Sequence, residues 1–223
     1  MQLTIATIDR DIVVAVKPHG LSTQSPPGTD SLQSRLQSQL GQPDGYLTPV
    51  HRLDRDTAGL VLFARTKKSA RLLSEQFATR RVCKRYDATV RCGVGGPQVG
   101  GRWEDFVAKI ADVARVRIAA ADDPDAKRCQ TDVQWVRFDA AAGTADLQLS
   151  PLTGRMHQLR IQCAARGFPI VGDRLYGPAG ADDANVPMAL VATHLTFWHP
   201  RTGVRTEVDV AAVAGRRTDR LCQ

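Results

Sequence analysis

A chain of 223 residues with 43% hydrophobic and 24% charged residues has ordinary globular composition, with length for one large or two small domains. Its first residues, MQLTIATIDRD, carry neither a basic segment nor a long apolar core, and no apolar run approaches membrane-spanning length, so a cytoplasmic protein is expected. Five cysteines, Cys83, Cys92, Cys129, Cys163 and Cys222, are odd in number and lack CxxC spacing, which argues against a disulfide framework or a zinc site and for reduced thiols, some of them in the core.

Residues 12–16 read as a short buried strand, stopped by the turn Lys17-Pro18-His19-Gly20. After a loop rich in Ser, Pro and Gly, Leu32, Leu36 and Leu40 recur four apart and predict an amphipathic helix over residues 31–40, with Asp30 as its cap. Residues 60–64 are a buried strand. Thr66 can cap a helix to about Phe77 that turns Ala70, Leu73 and Phe77 inward and leaves its basic residues outside. In residues 82–92 the period of two puts Tyr86 on the mostly apolar face of a strand. The glycine-rich residues 93–102 predict a flexible loop. Further strands are expected at 115–120, at 127–138 and around Ala145, Leu147 and Leu149. A helix capped by Thr153 is expected over residues 155–165, ended by Gly167. On such a helix Arg155 and Arg160 would point roughly 140° apart, while His157 and Arg160 would share a face. Residues 188–198 read as a central strand, and Arg201-Thr202-Gly203 turns the chain into a hairpin with residues 204–210.

The net charge of +7 is localised. Ten Lys or Arg and three Asp or Glu lie between Arg52 and Arg85, whereas the rest of the chain balances 20 against 20. Such a concentration is the electrostatic footprint expected for a polyanion. At its head stands VHRLDRDTAGLVLFAR, residues 50–65, a charged turn feeding a buried strand, where carboxylates Asp54 and Asp56 alternate with Arg52 and Arg55. A rigidly fed turn of this kind is a common place to hold out a reactive group.

Three stretches carry a family resemblance. HRLDRDTAGL at 51–60, KRYDA at 84–88 and GRMHQLR at 154–160 match the patterns HRLDxxTSGL, KxYxA and GRTHQLR, and the chain resembles the RNA pseudouridine synthases of the RluA type. The likeness runs from VAVKPHGL through FPIVGDRLYG to LVATHLTFWHP. Departures are Ala58, Met156 and Gln162, where the family often has Ser, Thr or Ser, and His; none removes a charged or nucleophilic group.

The resemblance implies an α+β fold, with a mixed, largely antiparallel sheet, flanking helices and a central basic cleft, as a single catalytic domain over 1–223 without a separate N-terminal RNA-binding domain. It implies conversion of uridine to pseudouridine with no cofactor and no metal, with Asp54 as the catalytic carboxylate, Arg160 as the cation beside it and Tyr86 stacked on the uracil. A neighbouring cation favours the charged carboxylate, and an aromatic ring is a sequence-tolerant platform for a base. The target uridine must be flipped out of its stack at a cost of a few kcal/mol. Arg52 or Arg55 is expected to hold the vacated place, with Lys67, Lys68, Arg71, Lys84, Arg155 and His157 as further RNA contacts. The partner would be a compact hairpin of tRNA or 23S rRNA and the protein a monomer. His51 and His157 lack ligand-spaced companions and are expected as packed or hydrogen-bonded donors. Two other functions stay open. An RNA-binding or RNA-folding factor fits the charge equally well but gives Asp54 no purpose. A glycoside hydrolase using Asp54 and Asp56 is weakened by the intervening arginine and by an aromatic content of 5%.

Overall fold

The computed structural model describes residues 2–26, 28–92, 100–178 and 186–211. The chain divides into two compact units, residues 1–84 with 192–223, and residues 85–191.

The first unit is built on strands β1 (Ile5–Ile8), β2 (Ile12–Lys17) and β4 (Ala58–Ala64), with β10 (Leu190–Trp198) beyond β4. The two-residue β3 (Thr48–Pro49) pairs β4, and β11 (Arg205–Asp209) pairs β10. β1 with β2, β2 with β4 and β10 with β11 run antiparallel. Every residue of β4 is buried, so both faces of this strand are covered. On one face Ile12, Val14, Leu60, Leu62, Leu195 and Phe197 pack with Leu73 of helix α2 (Lys67–Ala78), with Ala70 and Phe77 at the margin. That is the inward stripe predicted for this helix, and Thr66 caps it as predicted, its side chain accepting the Ser69 amide. Burial of such side chains contributes about 1.5–3 kcal/mol each. Gly59, the second residue of β4, has a φ of 115°, and a Cβ there would lie 2.3 Å from the Ala192 carbonyl oxygen. The strand can approach β10 this closely only without a side chain.

Helix α1 spans Leu32–Gln39 and buries Leu32 and Leu36. Its cap is Ser31, not Asp30. The Ser31 hydroxyl accepts the Ser34 amide and the Ser34 hydroxyl accepts the Ser31 amide, a reciprocal box. Asp30 lies one residue too early and is held instead by Arg35 at 2.5 and 2.7 Å.

The second unit carries the order β5 (Cys83–Arg91, from residue 85 on), β9 (Thr144–Pro151), β8 (Lys127–Asp139), β6 (Gly101–Lys109) and β7 (Val116–Ala119). Its pairs β5–β9, β9–β8, β8–β6 and β6–β7 are antiparallel. In β5 Tyr86, Ala88 and Val90 are buried, as the period of two requires. Strand β6 was not foreseen, and it takes in Gly101 and Arg102 of the predicted loop; the remainder of that loop, 93–99, lies outside the described residues. Charged residues break up its pattern. Its buried side carries Trp103 and Val107, while Arg102 and Glu104 face solvent and pair with Asp132 and Arg128 of β8. Cys129 and Cys163 are buried thiols, and Cys222 lies outside the described residues.

Helix α3 spans Gln158–Ala165. It starts three residues later than predicted and Thr153 does not cap it. Thr153 accepts the Gln130 amide and donates to Oε1 of Gln158, whose amide group reaches back to the Gln130 carbonyl. This polar plug fixes residues 154–157 as a turn, with His157 left-handed at a φ of 51°. Arg155 and His157 are therefore off the helix, and the angular argument relating them to Arg160 does not apply.

Candidate active site

In the first unit the backbone of the Asp54 turn is braced from one short segment, residues 17–23. The Thr57 amide closes the turn on the Asp54 carbonyl at 3.1 Å. On one side the Thr23 hydroxyl both donates to the Leu53 carbonyl and accepts its amide, each at 3.2 Å. On the other side Lys17, fully buried, donates through Nζ to the carbonyls of Arg55, Leu21 and Pro18 at 2.8, 2.7 and 3.0 Å. His19 bonds the Asp56 carbonyl at 2.8 Å. A buried ammonium with three carbonyl acceptors has all its donors satisfied. Burial lowers the Lys17 pKa to about 8, against the raising effect of the Asp56 and Asp54 charges. Asp54 itself is half-buried, on a turn whose every neighbour is fixed.

The flanking arginines differ. Arg55 donates its Nε to the Gly20 carbonyl at 2.9 Å and so joins the bracing. Arg52 is exposed and has no acidic partner among the described residues. Lys67, Lys68 and Arg71 share the solvent face of α2, as predicted. Lys84 is half-buried, and burial lowers its pKa; this lysine is not a surface cation like the other three.

His51 is packed, as expected, and the nitrogen it bonds through is an acceptor rather than a donor. Its Nε2 accepts the Leu62 amide at 3.0 Å while the ring stacks on Phe77 at 4.9 Å. Burial first, and the Lys84 charge second, push its pKa down to about 3. The unfolded chain would titrate near 6.5, so between those values it holds a proton that the folded ring refuses. Stability is fully present above about pH 6.5 and is lost as pH falls toward 3. Urea midpoints measured across that window should fall more steeply for the wild type than for His51→Gln.

In the second unit Tyr86 is 9% exposed and pairs Leu149 across β5 and β9. Arg160, buried on α3, is gripped by Asp173 through Nε and Nη2 at 2.8 and 2.7 Å. Burial alone would raise the Asp173 pKa. The Arg160 hydrogen bonds and charge, with the amides of Leu175 and Tyr176, outweigh it and hold the carboxyl below its ordinary value. The Tyr176 ring lies 5.2 Å from the Arg160 guanidinium and equally close to that of Arg115. Its hydroxyl accepts the Val116 amide at 2.9 Å and shares a second hydrogen bond with Nδ1 of His157 at 2.9 Å. Arg160 and His157 thus converge on Tyr176, whereas Arg155 is exposed and donates to the Arg128 carbonyl. Gln162, one of the departures from the family pattern, is buried and bonds Thr131 and Asp105, so it serves packing in this chain.

Sequence reasoning missed Lys17, His19, Thr23, Asp173 and Tyr176. The strings KPHGLST and GDRLYG hold them, and both lack periodicity. Among the described residues one group elsewhere has the residue types of a metal site, Asp9, Asp11 and His199. Its atoms are already engaged: Asp9 by the Asp11 and Ile12 amides and by His199, and Asp11 by Ser69 and Arg201. His199 Nδ1 accepts the Arg201 and Thr202 amides, which leaves Nε2 to donate to Asp9 rather than to bind a cation. Among the described residues no helix is long and apolar enough to cross a membrane.

Comparison with known proteins agrees with this geometry. The sequence pattern of the family RNA pseudouridylate synthase matches residues 11–165. The dual-specificity RNA pseudouridine synthase RluA of Salmonella typhimurium strain LT2 is 35% identical over 206 residues, spanning 90% of this chain and 89% of that protein. The protein of the same name from Pasteurella multocida is 33% identical over 210 residues, with the same shares of the two chains. Among solved structures, human RNA pseudouridylate synthase domain containing 1 superposes with a TM-score of 0.75 at 29% identity, over 93% of this chain and 82% of that one. Human RNA pseudouridylate synthase domain containing 4, at 22% identity and a TM-score of 0.73 over 95% and 92% of the two chains, shares the α+β fold. A braced Asp54 turn, a mixed and largely antiparallel sheet and a match that takes in most of the sequence lead to one assignment: the chain belongs to the RNA pseudouridylate synthase family.

Proposed function

We propose that this protein isomerises uridine to pseudouridine in a structured RNA hairpin, of tRNA or 23S rRNA, and that both units act together as one catalytic domain. The observation that carries the reading is the bracing of the Asp54 turn by Lys17, His19 and Thr23, which holds one carboxylate in a basic surrounding at the cost of burying a lysine. Polyanion binding has no use for such a device; a reaction at the ribose of a nucleotide does.

In this reading Asp54 acts on the ribose while the bond from C1′ to N1 breaks. The uracil turns, C1′ joins C5, the C5 proton leaves and N1 takes up a proton. Arg160 supplies the cation that the charged carboxylate calls for, and its clamp to Asp173 fixes its direction. Tyr86 is the platform for the uracil. Arg52, with its guanidinium uncommitted to any acid among the described residues, is the residue for the place vacated by the flipped base, since Arg55 is tied to Gly20. Lys67, Lys68 and Arg71 would hold phosphates, with Arg155 and His157 as lesser contacts. The enzyme would act in the cytoplasm as a monomer without metal or cofactor.

The test is release of tritium to water from bulk cellular RNA labelled at uracil C5, with no cofactor added. Release is the expected result. Binding of the RNA without release would favour an RNA-binding factor and remove the catalytic assignment of Asp54.

A further inference from the structure

The C-terminal end of α2 is built at a local cost. The Arg81 amide bonds the Gln76 carbonyl at 2.9 Å and the Arg80 amide bonds the Phe77 carbonyl at 3.2 Å, which is the two-bond stop in which the residue after the cap is left-handed. That residue is normally glycine. Here it is Arg80, at a φ of 57°. A side chain in this conformation is strained, and an observed outlier of this kind points toward function. Arg80 is exposed and has no acidic partner among the described residues.

The neighbourhood gives the outlier a use. Arg81, also exposed, lies with its guanidinium 5.6 Å from the ring centroid of Trp198, a tryptophan 37% exposed. A guanidinium on an indole face keeps its edge donors directed outward, the geometry that meets phosphate oxygens. The corner is rigid: the Gln76 side chain donates to the Trp198 carbonyl at 2.7 Å and accepts its amide at 2.8 Å, locking the end of α2 to β10. From this corner the solvent face of α2 runs back through Arg71, Lys68 and Lys67, about 18 Å of helix, with five cations and the single carboxylate of Glu75 between residues 67 and 81.

We propose that Arg80, Arg81 and Trp198 form a second RNA contact, which takes the sugar-phosphate backbone of the strand flanking the target nucleotide and continues the track begun by Lys67, Lys68 and Arg71. The inference rests on the reading of the protein as an enzyme acting on RNA, and it adds a positioning role that no residue of the reaction itself requires.

Arg80→Gly separates the two explanations of the strained arginine, because glycine relieves the backbone and removes the charge together. The expected result is a thermal midpoint raised by roughly 2–4 °C, with binding of bulk cellular RNA weakened several-fold. The slope of log affinity against log salt should drop by about 0.7–0.9, one phosphate contact. Arg81→Gln should weaken binding and lower the slope likewise without the gain in stability. Arg117→Gln, which makes the same change in net charge at an exposed ion pair with Asp123, should leave the slope unchanged. The proposal is overturned if Arg80→Gly and Arg81→Gln keep the wild-type affinity and salt slope, or if Arg117→Gln lowers the slope as much as they do. Absence of tritium release from the wild type would defeat the isomerase reading, while the salt slopes still decide whether this corner holds RNA.

Discussion

Asp54→Asn should release no tritium above background from C5-labelled RNA, a loss on the order of 10⁴-fold or more, the scale seen when a group that acts on the reacting atoms is removed. The substitution changes one oxygen for nitrogen and leaves the backbone brace from Lys17, His19 and Thr23 in place, because all three bonds run to carbonyl or amide groups of the turn rather than to the Asp54 side chain. The variant should therefore still fold with the turn in place. It should also bind RNA at least as well as the wild type, since a negative charge is lost from a basic setting. Filter binding and tritium release measured on the same preparation separate these effects. Retained release in Asp54→Asn would mean that another group performs the step.

Gly59→Ala should have the largest effect on folding of any glycine-to-alanine change among the described residues of the first unit. An alanine Cβ would stand 2.3 Å from the Ala192 carbonyl oxygen, 2.5 Å from its amide nitrogen and 2.8 Å from its carbonyl carbon, all backbone atoms that cannot turn aside. A left-handed alanine adds about 1–2 kcal/mol. Relief of the contact requires β4 to part from β10, which opens the cluster of Leu60, Leu62, Leu195 and Phe197. A cost above about 4 kcal/mol is expected, in the range reserved for overpacking and backbone strain. Urea denaturation measures it directly, and soluble expression at reduced temperature serves as a second readout. A loss below about 1 kcal/mol would show that the strand yields. Because Gly59 lies at the start of β4, five residues after Asp54, a variant that still folds should displace the turn and lose activity beyond its loss of stability.

The residues of the sequence that could be read directly are those whose role is local. Continuous apolar runs exposed β2 and β4, and period two exposed β5 and put Tyr86 on the buried face, because a run and an alternation are properties of the strand itself. The leucine spacing and Thr66 gave α1 and α2, because a cap and a stripe are satisfied within one helix. The charged string around Asp54 and the two companion motifs pointed to the family and to its candidate residues. Where a local signal had two claimants, it failed: Asp30 and Ser31 both suit a cap, and the Arg35 partner of Asp30 decided between them. Strand β6 escaped notice because its outward charges are explained only by the strand beside it.

What the tertiary structure alone decided is how distant polar groups satisfy one another. Lys17 lies 38 residues from Arg55 and Thr23 lies 30 from Leu53, yet these bonds fix the Asp54 turn. Asp173 meets Arg160, Gln158 reaches back to Gln130 and moves the start of α3, and Gln76 locks to Trp198 across 122 residues. No period or spacing in the chain encodes such pairs. A buried donor or acceptor must find a partner, but the sequence states only the need, and the packed fold determines which group answers it.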